Sequence, residues 1–331
     1  MTEDDSQREN ASSSIASDST RTHSVDDGIA EFEEEILIEG SDLARAHWIQ
    51  LQKVNKQSRE EQLIQGIVIQ HCFLHMLNKH HCASVQAAIC MIMENKDDPT
   101  TFSRIVSEMG AHHFFYDAIE PHLEIFEDSL IHALNAVPTG TEALDEDTEK
   151  SWRIFLTDVK QKMGEGIAIQ RTLYLKQCVT EREVDEAKQV WSAIQQFGID
   201  ECGQTLCRTA VQEYMEQMTK LGLAMPFPLE DENDVFVQFA HFTMVALGIT
   251  IDSFEPGEGF TCLPIHLQEY TVICMILEVC PSLIRKALIK GMREMLYAVL
   301  GKEGVSETTM HTWTKLYRVL EQAIITNIIE Y

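Results

Sequence analysis

Apolar residues recur at every third or fourth position along most of the chain after residue 40, which is the spacing of a helix face. Alternating apolar and polar positions, as in a half-buried strand, are scarce, and only eight prolines interrupt the pattern. The periodic segments lie at 41–54, 59–79, 83–95, 100–116, after Pro121, and around Trp152. The pattern therefore predicts an all-α protein.

The clearest helical face consists of Phe102, Ile105, Val106, Met109 and His113. A histidine that closes an apolar face just before a turn and a second long helix is typical of the proximal side of a haem iron. A histidine on an apolar face is also, and more often, a core residue whose ring is satisfied by a neighbouring group. The face alone leaves both interpretations open.

The N-terminal region differs from the rest of the chain, because its first 35 residues hold eleven acids and two arginines. Such a stretch cannot bury enough apolar area to offset the entropy of ordering, so residues 1–36 are predicted to be a disordered acidic tail. The net charge of the whole chain is −27, which argues against nucleic acids and anionic membranes as partners.

Targeting and redox signals point to the cytoplasm. No run of eighteen apolar residues occurs, and the N-terminus is not basic and then apolar, so neither a membrane span nor a secretory signal is expected. The nine cysteines are odd in number and include no CxxC pair, which favours reduced thiols over a disulfide framework or a zinc module.

The chain repeats one helical unit. Each unit has an early tryptophan, an acid–proline pair followed by an aromatic residue, a proline before the penultimate helix, and a tryptophan in the last helix. The matching residues are Trp48 and Trp191, Phe102 and Phe260, Pro121 and Pro281, and Trp152 and Trp313. Two units are too few for a solenoid, so each is expected to have its own core. The predicted domains are 37–170 and 180–331.

A resemblance to a known family lies in the first unit. His81 is followed by the acidic breaker before Pro99, by Phe102, and by a Gly-Ala-His-His sequence that ends at His113, 32 residues after His81. This order resembles the globin family, in the neuroglobin-like manner, and the repeat resembles the divergent two-domain globins. The resemblance implies two tandem globin-like domains, with His113 as the proximal iron ligand and His81 as the distal residue. It also implies a haem pocket lined here by Val85, Ala88, Ile105, Met109, Ile119 and Leu123.

Neighbouring histidines compete for these two roles. His80 precedes His81, and His112 precedes His113, but His112 is turned about 100° away from the apolar face. The first unit also departs from the family between Trp48 and His81, which are only 33 residues apart. The shortened part corresponds to the corner that supplies a haem-packing phenylalanine in the family.

The second unit matches the family in its front half and departs from it later. Phe227, between two prolines, resembles the corner phenylalanine, and Phe239 falls at the distal position. The aligned proximal position is Ile273 or Thr271, and neither side chain binds iron. His266 lies seven residues before Ile273, about two turns or 10 Å along a helix, and is the candidate ligand of this unit.

The resemblance implies that haem b is bound and that O2 or another diatomic ligand binds to it, or that it serves redox or sensing. The second unit would then be structural or regulatory. The alternative is a haem-free globin-like interaction module, and a protein partner or a homo-oligomer fits either interpretation. An enzyme acting on a haem-bound substrate is a third class, but the sequence shows no nucleophile elbow, phosphate loop or HExxH pattern.

Overall fold

The computed structural model describes residues 79–136, 144–220, 234–277 and 281–330, with the side chains of 84–135, 144–216, 234–277 and 285–330. These residues form eleven α-helices, and the only strand-like feature among them is an isolated bridge. The all-α prediction is confirmed for this part of the chain. The helices are α1 (Lys79–Asn95), α2 (Pro99–Phe114), α3 (Glu120–Ala136), α4 (Glu146–Gln177), α5 (Glu181–Phe197), α6 (Ile199–Lys220), α7 (Asp234–Asp252), α8 (Leu263–His266), α9 (Gln268–Ile276), α10 (Pro281–Leu300) and α11 (Glu307–Glu330), with a 3-10 turn at Lys302–Gly304.

Local sequence signals set several helix ends. The Asp98 carboxylate accepts a hydrogen bond from the Thr101 N–H at 3.2 Å, and Pro99 lies in the first turn of α2. Thr180 and Glu183 form a reciprocal capping box at the start of α5. In both places a side chain satisfies an N–H group that the helix itself leaves without a partner. The breaker predicted after α1 therefore contains the N-cap of α2.

Two hydrophobic cores divide the described helices. The first lies among α1, α2, α3 and the front of α4, and it includes Trp152 and Ile167. The second lies among α5 to α11 and the end of α4, beginning at Leu175. Helix α4 runs unbroken from one core to the other. The domain limits 37–170 and 180–331 stay a prediction, since the front of the first lies outside the described residues.

The repeated features of the sequence occupy matching places in the two halves. Pro121 lies in the first turn of α3, and Pro281 begins α10. Trp152 and Trp313 lie in the second turn of α4 and of α11, and both are fully buried. The Trp313 ring packs against that of Trp191, with 6.5 Å between the centroids. The last two helices of each unit thus follow one plan.

Helix backbones touch at glycines in both halves. A Cβ added at Gly110 of α2 would lie 2.1 Å from the carbonyl oxygen of Met163 in α4, and one at Gly166 would lie 2.0 Å from that of Ser107. In the second half, a Cβ at Gly291 of α10 would meet the backbone of α6 in the same way. Larger side chains would force these pairs apart, so glycine fixes the position of α2 on α4.

Helix α7 is the one described helix long and apolar enough, by length and composition, to cross a membrane. Half of its apolar window is buried inside the protein. A single helix of this kind is a weak indication, because helices in protein cores have the same length and composition. The predicted acidic tail, 1–36, and Phe227 lie outside the described residues.

Candidate functional site

Helix α2 carries two adjacent rows of side chains. A buried row packs on α4 and consists of Phe102, Val106, Gly110 and Phe114. Beside it, Ile105, Met109 and His113 form a half-buried row. The sequence interpretation put residues of both rows on one face, and the structure separates them, because the contact with α4 occupies only one side of the helix. His113 therefore lies at the margin of the first core.

The imidazole of His113 is oriented by its own helix. Its Nδ1 lies 2.7 Å from the carbonyl oxygen of Met109, one turn earlier. Because a carbonyl oxygen can only accept, Nδ1 carries the proton and the lone pair of the neutral ring is on Nε2. Histidines that bind metals usually donate their other ring N–H to such an acceptor. The neighbouring His112 is exposed, whereas the His113 ring lies edge to face with that of Tyr116 at 6.4 Å.

The side chains assigned by resemblance to the pocket wall belong to α1, α2, the turn before α3, and α3 itself. Leu123 of α3 is buried. The other five, from α1, α2 and the turn before α3, are only half-buried: Val85, Ala88, Ile105, Met109 and Ile119. Half-buried apolar side chains leave apolar area that a flat apolar ligand such as a porphyrin would cover. His81 lies in α1, but its side chain is not among those described, so its distal role stays a prediction.

The second unit fills the corresponding space with a tyrosine. The ring of Tyr270 in α9 stacks on that of Phe239 in α7 at 6.4 Å, and both side chains are buried. The Tyr270 hydroxyl lies 3.0 Å from Oγ1 of Thr243, which donates to the Phe239 carbonyl oxygen at 2.7 Å. Burial holds the pKa of Tyr270 well above its ordinary value, so the phenol is neutral. Phe239 contacts this tyrosine where a haem contact was predicted.

The histidines of the second unit lie at its surface. His266 is exposed at the end of α8, and its Nδ1 lies 2.9 Å from Oγ of Ser253. His241 pairs with Asp200 at 2.7 Å, and His311 is exposed as well. Tyr270, rather than an imidazole, is buried against Phe239 and Thr243. The ligand role of His266 stays a prediction.

The aligned proximal positions of the second unit have structural contacts instead. Thr271 is fully buried and donates to the Leu267 carbonyl oxygen at 2.9 Å, and it accepts from Nδ2 of Asn327 at 3.0 Å. Ile273 is half-buried. Tyr270 lies one helical turn after His266 on the same apolar face of the sequence, but this spacing does not predict its role. Its burial depends on contacts between distant segments, which periodicity does not reveal.

No group of three histidine, cysteine, aspartate or glutamate side chains suited to a metal ion occurs among the described residues. A structural zinc site would need such a group. A haem iron needs only one or two protein ligands, because the porphyrin supplies the others. His113, the proximal ligand by resemblance, therefore stays a candidate for such a site.

Comparison with known proteins identifies the segment that holds this histidine. Residues 78–163 match the family model described as Globin. The matched segment contains His81 and His113, and it runs from α1 into α4. No curated protein matches the chain.

Proposed function

We propose that this chain, whose residues 78–163 belong to the globin family, binds haem b through Nε2 of His113 and with it a diatomic ligand such as O2. The observation that carries the proposal is the 2.7 Å contact between Nδ1 of His113 and the Met109 carbonyl oxygen. It selects the tautomer in which Nε2 has a free lone pair, on a half-buried apolar row of α2.

The chain's own residues have separable parts in this proposal. The Met109 carbonyl orients the His113 ring and fixes its tautomer. Ile105 and Met109 on α2 and Val85 on α1 would supply apolar surface to the haem. A bound haem would supply an iron that binds a diatomic ligand reversibly or exchanges an electron. His81, by resemblance, would either bind the iron as a second ligand or donate a hydrogen bond to the bound diatomic ligand.

The test is the optical spectrum of the full chain after addition of haem. A Soret band that His113→Ala abolishes and His112→Ala preserves is the expected result. His112 is a matched control, since it is the adjacent imidazole on the same helix and is exposed. A Soret band that survives His113→Ala overturns the proposal.

The part played by His81 has its own test. If His81 occupies the sixth coordination position, the spectrum of the loaded chain is low-spin and becomes high-spin in His81→Ala. A low-spin spectrum that His81→Ala leaves unchanged and His80→Ala converts assigns the role to the neighbouring histidine instead.

For the second unit we propose a haem-free structural or regulatory role. The supporting observation is Tyr270, which is buried between α7 and α9 and hydrogen-bonded to Thr243. Titration with haem should saturate at one haem per chain, and the His113→Ala chain should take up none. A stoichiometry of two would contradict this role.

The remaining proposals follow from composition. We propose a binding protein rather than an enzyme, in the cytoplasm, with a protein partner or a second copy as a further ligand. The strongly negative charge disfavours nucleic acid and anionic lipid. All six described cysteines are free thiols, which suits a reducing compartment. Cell fractionation of the tagged full chain checks the compartment.

A further inference from the structure

The turn after α2 is tied to His113 by the backbone. The His113 carbonyl oxygen accepts hydrogen bonds from the N–H of Tyr116 at 3.0 Å and from the N–H of Ala118 at 3.1 Å. Between these two donors lies Asp117, with φ of 63°, the one non-glycine residue with positive φ among those described. Asp tolerates this conformation better than most residues do. A displacement of Asp117 would therefore disturb the hydrogen bonds to the carbonyl group of His113, the residue that would bind iron.

Two arginines of the second unit bind this turn. Arg285 of α10 forms a fork with the Asp117 carboxylate, with Nη1 2.6 Å from Oδ1 and Nη2 bonded to Oδ2. Arg318 of α11 places Nη2 3.5 Å from Oδ1 of Asp117 and 3.4 Å from the Phe114 carbonyl oxygen. A paired fork between guanidinium and carboxylate is among the stronger and more directional contacts in proteins.

Packing holds Arg318 where it makes these contacts. Its guanidinium lies over the ring of Phe114 at 5.3 Å and over that of Tyr174 at 5.1 Å. The Phe114 ring belongs to α2, and the Tyr174 ring belongs to the end of α4, which packs against the second core. Planar cations over aromatic faces are stabilised by the ring quadrupole. The second unit thus contacts the end of α2 through the Phe114 ring and carbonyl oxygen, and the following turn through the Asp117 side chain.

The cluster is largely sheltered from water. The side chains of Arg285, Arg318 and Asp117 are 20%, 23% and 32% exposed, and Glu321, 3.3 Å from Arg285, is fully buried. Burial by itself would raise the pKa of Asp117, but the hydrogen bonds and charge of Arg285 outweigh it and hold that pKa below its ordinary value. Asp117 is therefore ionised, and it lies beside two arginines in a cluster that also includes Glu321.

We propose that Asp117, Arg285 and Arg318 are positioning residues through which the haem-free second unit holds helix α2, and with it His113, in place. The inference rests on the proposed haem ligation by His113. It gives the second unit a defined task, because contacts from α10 and α11 fix the end of the helix that carries the ligand. A change in the packing of α10 or α11 then alters the orientation of the imidazole.

A matched control comes from an ion pair that lies away from the turn after α2. Lys176 at the end of α4 pairs with Glu258 at 2.9 Å, and both side chains are exposed at the surface. This pair does not touch α2. Glu258→Gln removes one paired carboxylate charge, as Asp117→Asn does, without disturbing the turn after His113. Asn also tolerates the positive φ of position 117, so the substitution changes the charge and not the backbone preference.

The experiment has two readouts on the full chain. In the haem-free protein, amide hydrogen exchange in the last turn of α2 and in the following turn should be faster in Asp117→Asn by about tenfold or more, as expected for lost charge-assisted hydrogen bonds. In the haem-loaded protein, the iron–histidine stretching band in resonance Raman spectra should shift or broaden. Glu258→Gln should change neither, and Arg285→Lys, which keeps the charge without the fork, should give an intermediate effect.

The outcomes separate this inference from the proposed function. If Asp117→Asn matches Glu258→Gln in both readouts while His113→Ala abolishes the Soret band, the positioning role is wrong and the haem proposal stands. If the wild-type chain takes up no haem, the haem proposal fails. The positioning role fails separately if amide exchange in Asp117→Asn is as slow as in the wild type. Should Asp117→Asn fail to fold, Arg285→Lys provides the same comparison in a milder form.

Discussion

The two units have the same order of helices, but they differ in the burial of the key side chain on the helical segment that is third from the end. In the first, α2 presents the half-buried row that ends in His113. In the second, α9 buries Tyr270 against Phe239 and Thr243. A scaffold of this kind can therefore be completed by its own side chain. The imidazole of the first unit is not required by the packing, which favours a ligand role for it.

The same segment is also anchored differently in the two units. Helix α2 is continuous and touches α4 backbone to backbone at Gly110 and Gly166. The corresponding segment of the second unit is broken at Leu267 into α8 and α9. It is held to α11 by Asn327, whose Nδ2 donates to the Pro264 carbonyl oxygen at 2.8 Å. The first unit thus carries His113 on one continuous helix, whereas the second carries Tyr270 on a separate short helix.

The strongest way to break this comparison is to empty the space in the second unit. Tyr270→Ala should reduce the free energy of unfolding by about 3–5 kcal/mol, because a buried aromatic side chain is lost and a cavity remains. Met109→Ala in the first unit should reduce it by only about 1 kcal/mol in the haem-free chain, since Met109 is half-buried. Urea unfolding followed by circular dichroism measures both values.

Equal losses of unfolding free energy in Tyr270→Ala and Met109→Ala would mean that both side chains are equally well packed. The contrast between the two units would then be wrong. Thr243 remains satisfied in Tyr270→Ala, because its hydroxyl also donates to the Phe239 carbonyl oxygen. The predicted loss is therefore a packing effect, and Tyr270→Phe, which removes only the hydroxyl, should reduce the free energy of unfolding by about 1 kcal/mol.

A second, smaller effect sharpens the contrast in anchoring. Gly110→Ala should reduce the free energy of unfolding by about 2–3 kcal/mol, since the added Cβ would meet the backbone of Met163 and push α2 away from α4. Gly164→Ala is the matched control on α4. Its Cβ would meet only side-chain atoms, the nearest at 3.6 Å, so it should be neutral or stabilising by up to about 1 kcal/mol. Thermal and urea unfolding of both variants decide the matter, and equal stabilities would show that α2 and α4 are not in backbone contact.

The features that depend on local patterns could be predicted from the sequence. Helix class, the breaker before α2 and the equivalence of Trp152 with Trp313 follow from spacing that is visible in the chain. The choice of His113 over the exposed His112 followed from the same periodicity. The burial of Tyr270 and the contact of Asp117 with the second unit could not be reached in this way, because each depends on residues far away in the sequence.

The smallest expected effect concerns an ion pair between two helices of the second unit. Glu183, in the capping box of α5, also accepts from Lys315 of α11 at 2.7 Å. Burial would raise its pKa, but the hydrogen bonds of Lys315 and Thr180 outweigh that and lower the pKa from 4.5 to about 2. A lowered pKa in the folded state means that the ionised form stabilises the fold above pH 4.5, and that this contribution is lost as the pH falls towards 2. Glu183→Gln should therefore be less stable than wild type by about 1 kcal/mol at neutral pH, the size of a partly exposed pair, and the difference should vanish near pH 2. Urea unfolding at several pH values measures the difference, and a gap between the two chains that is independent of pH would show that the contribution of Glu183 is not its charge.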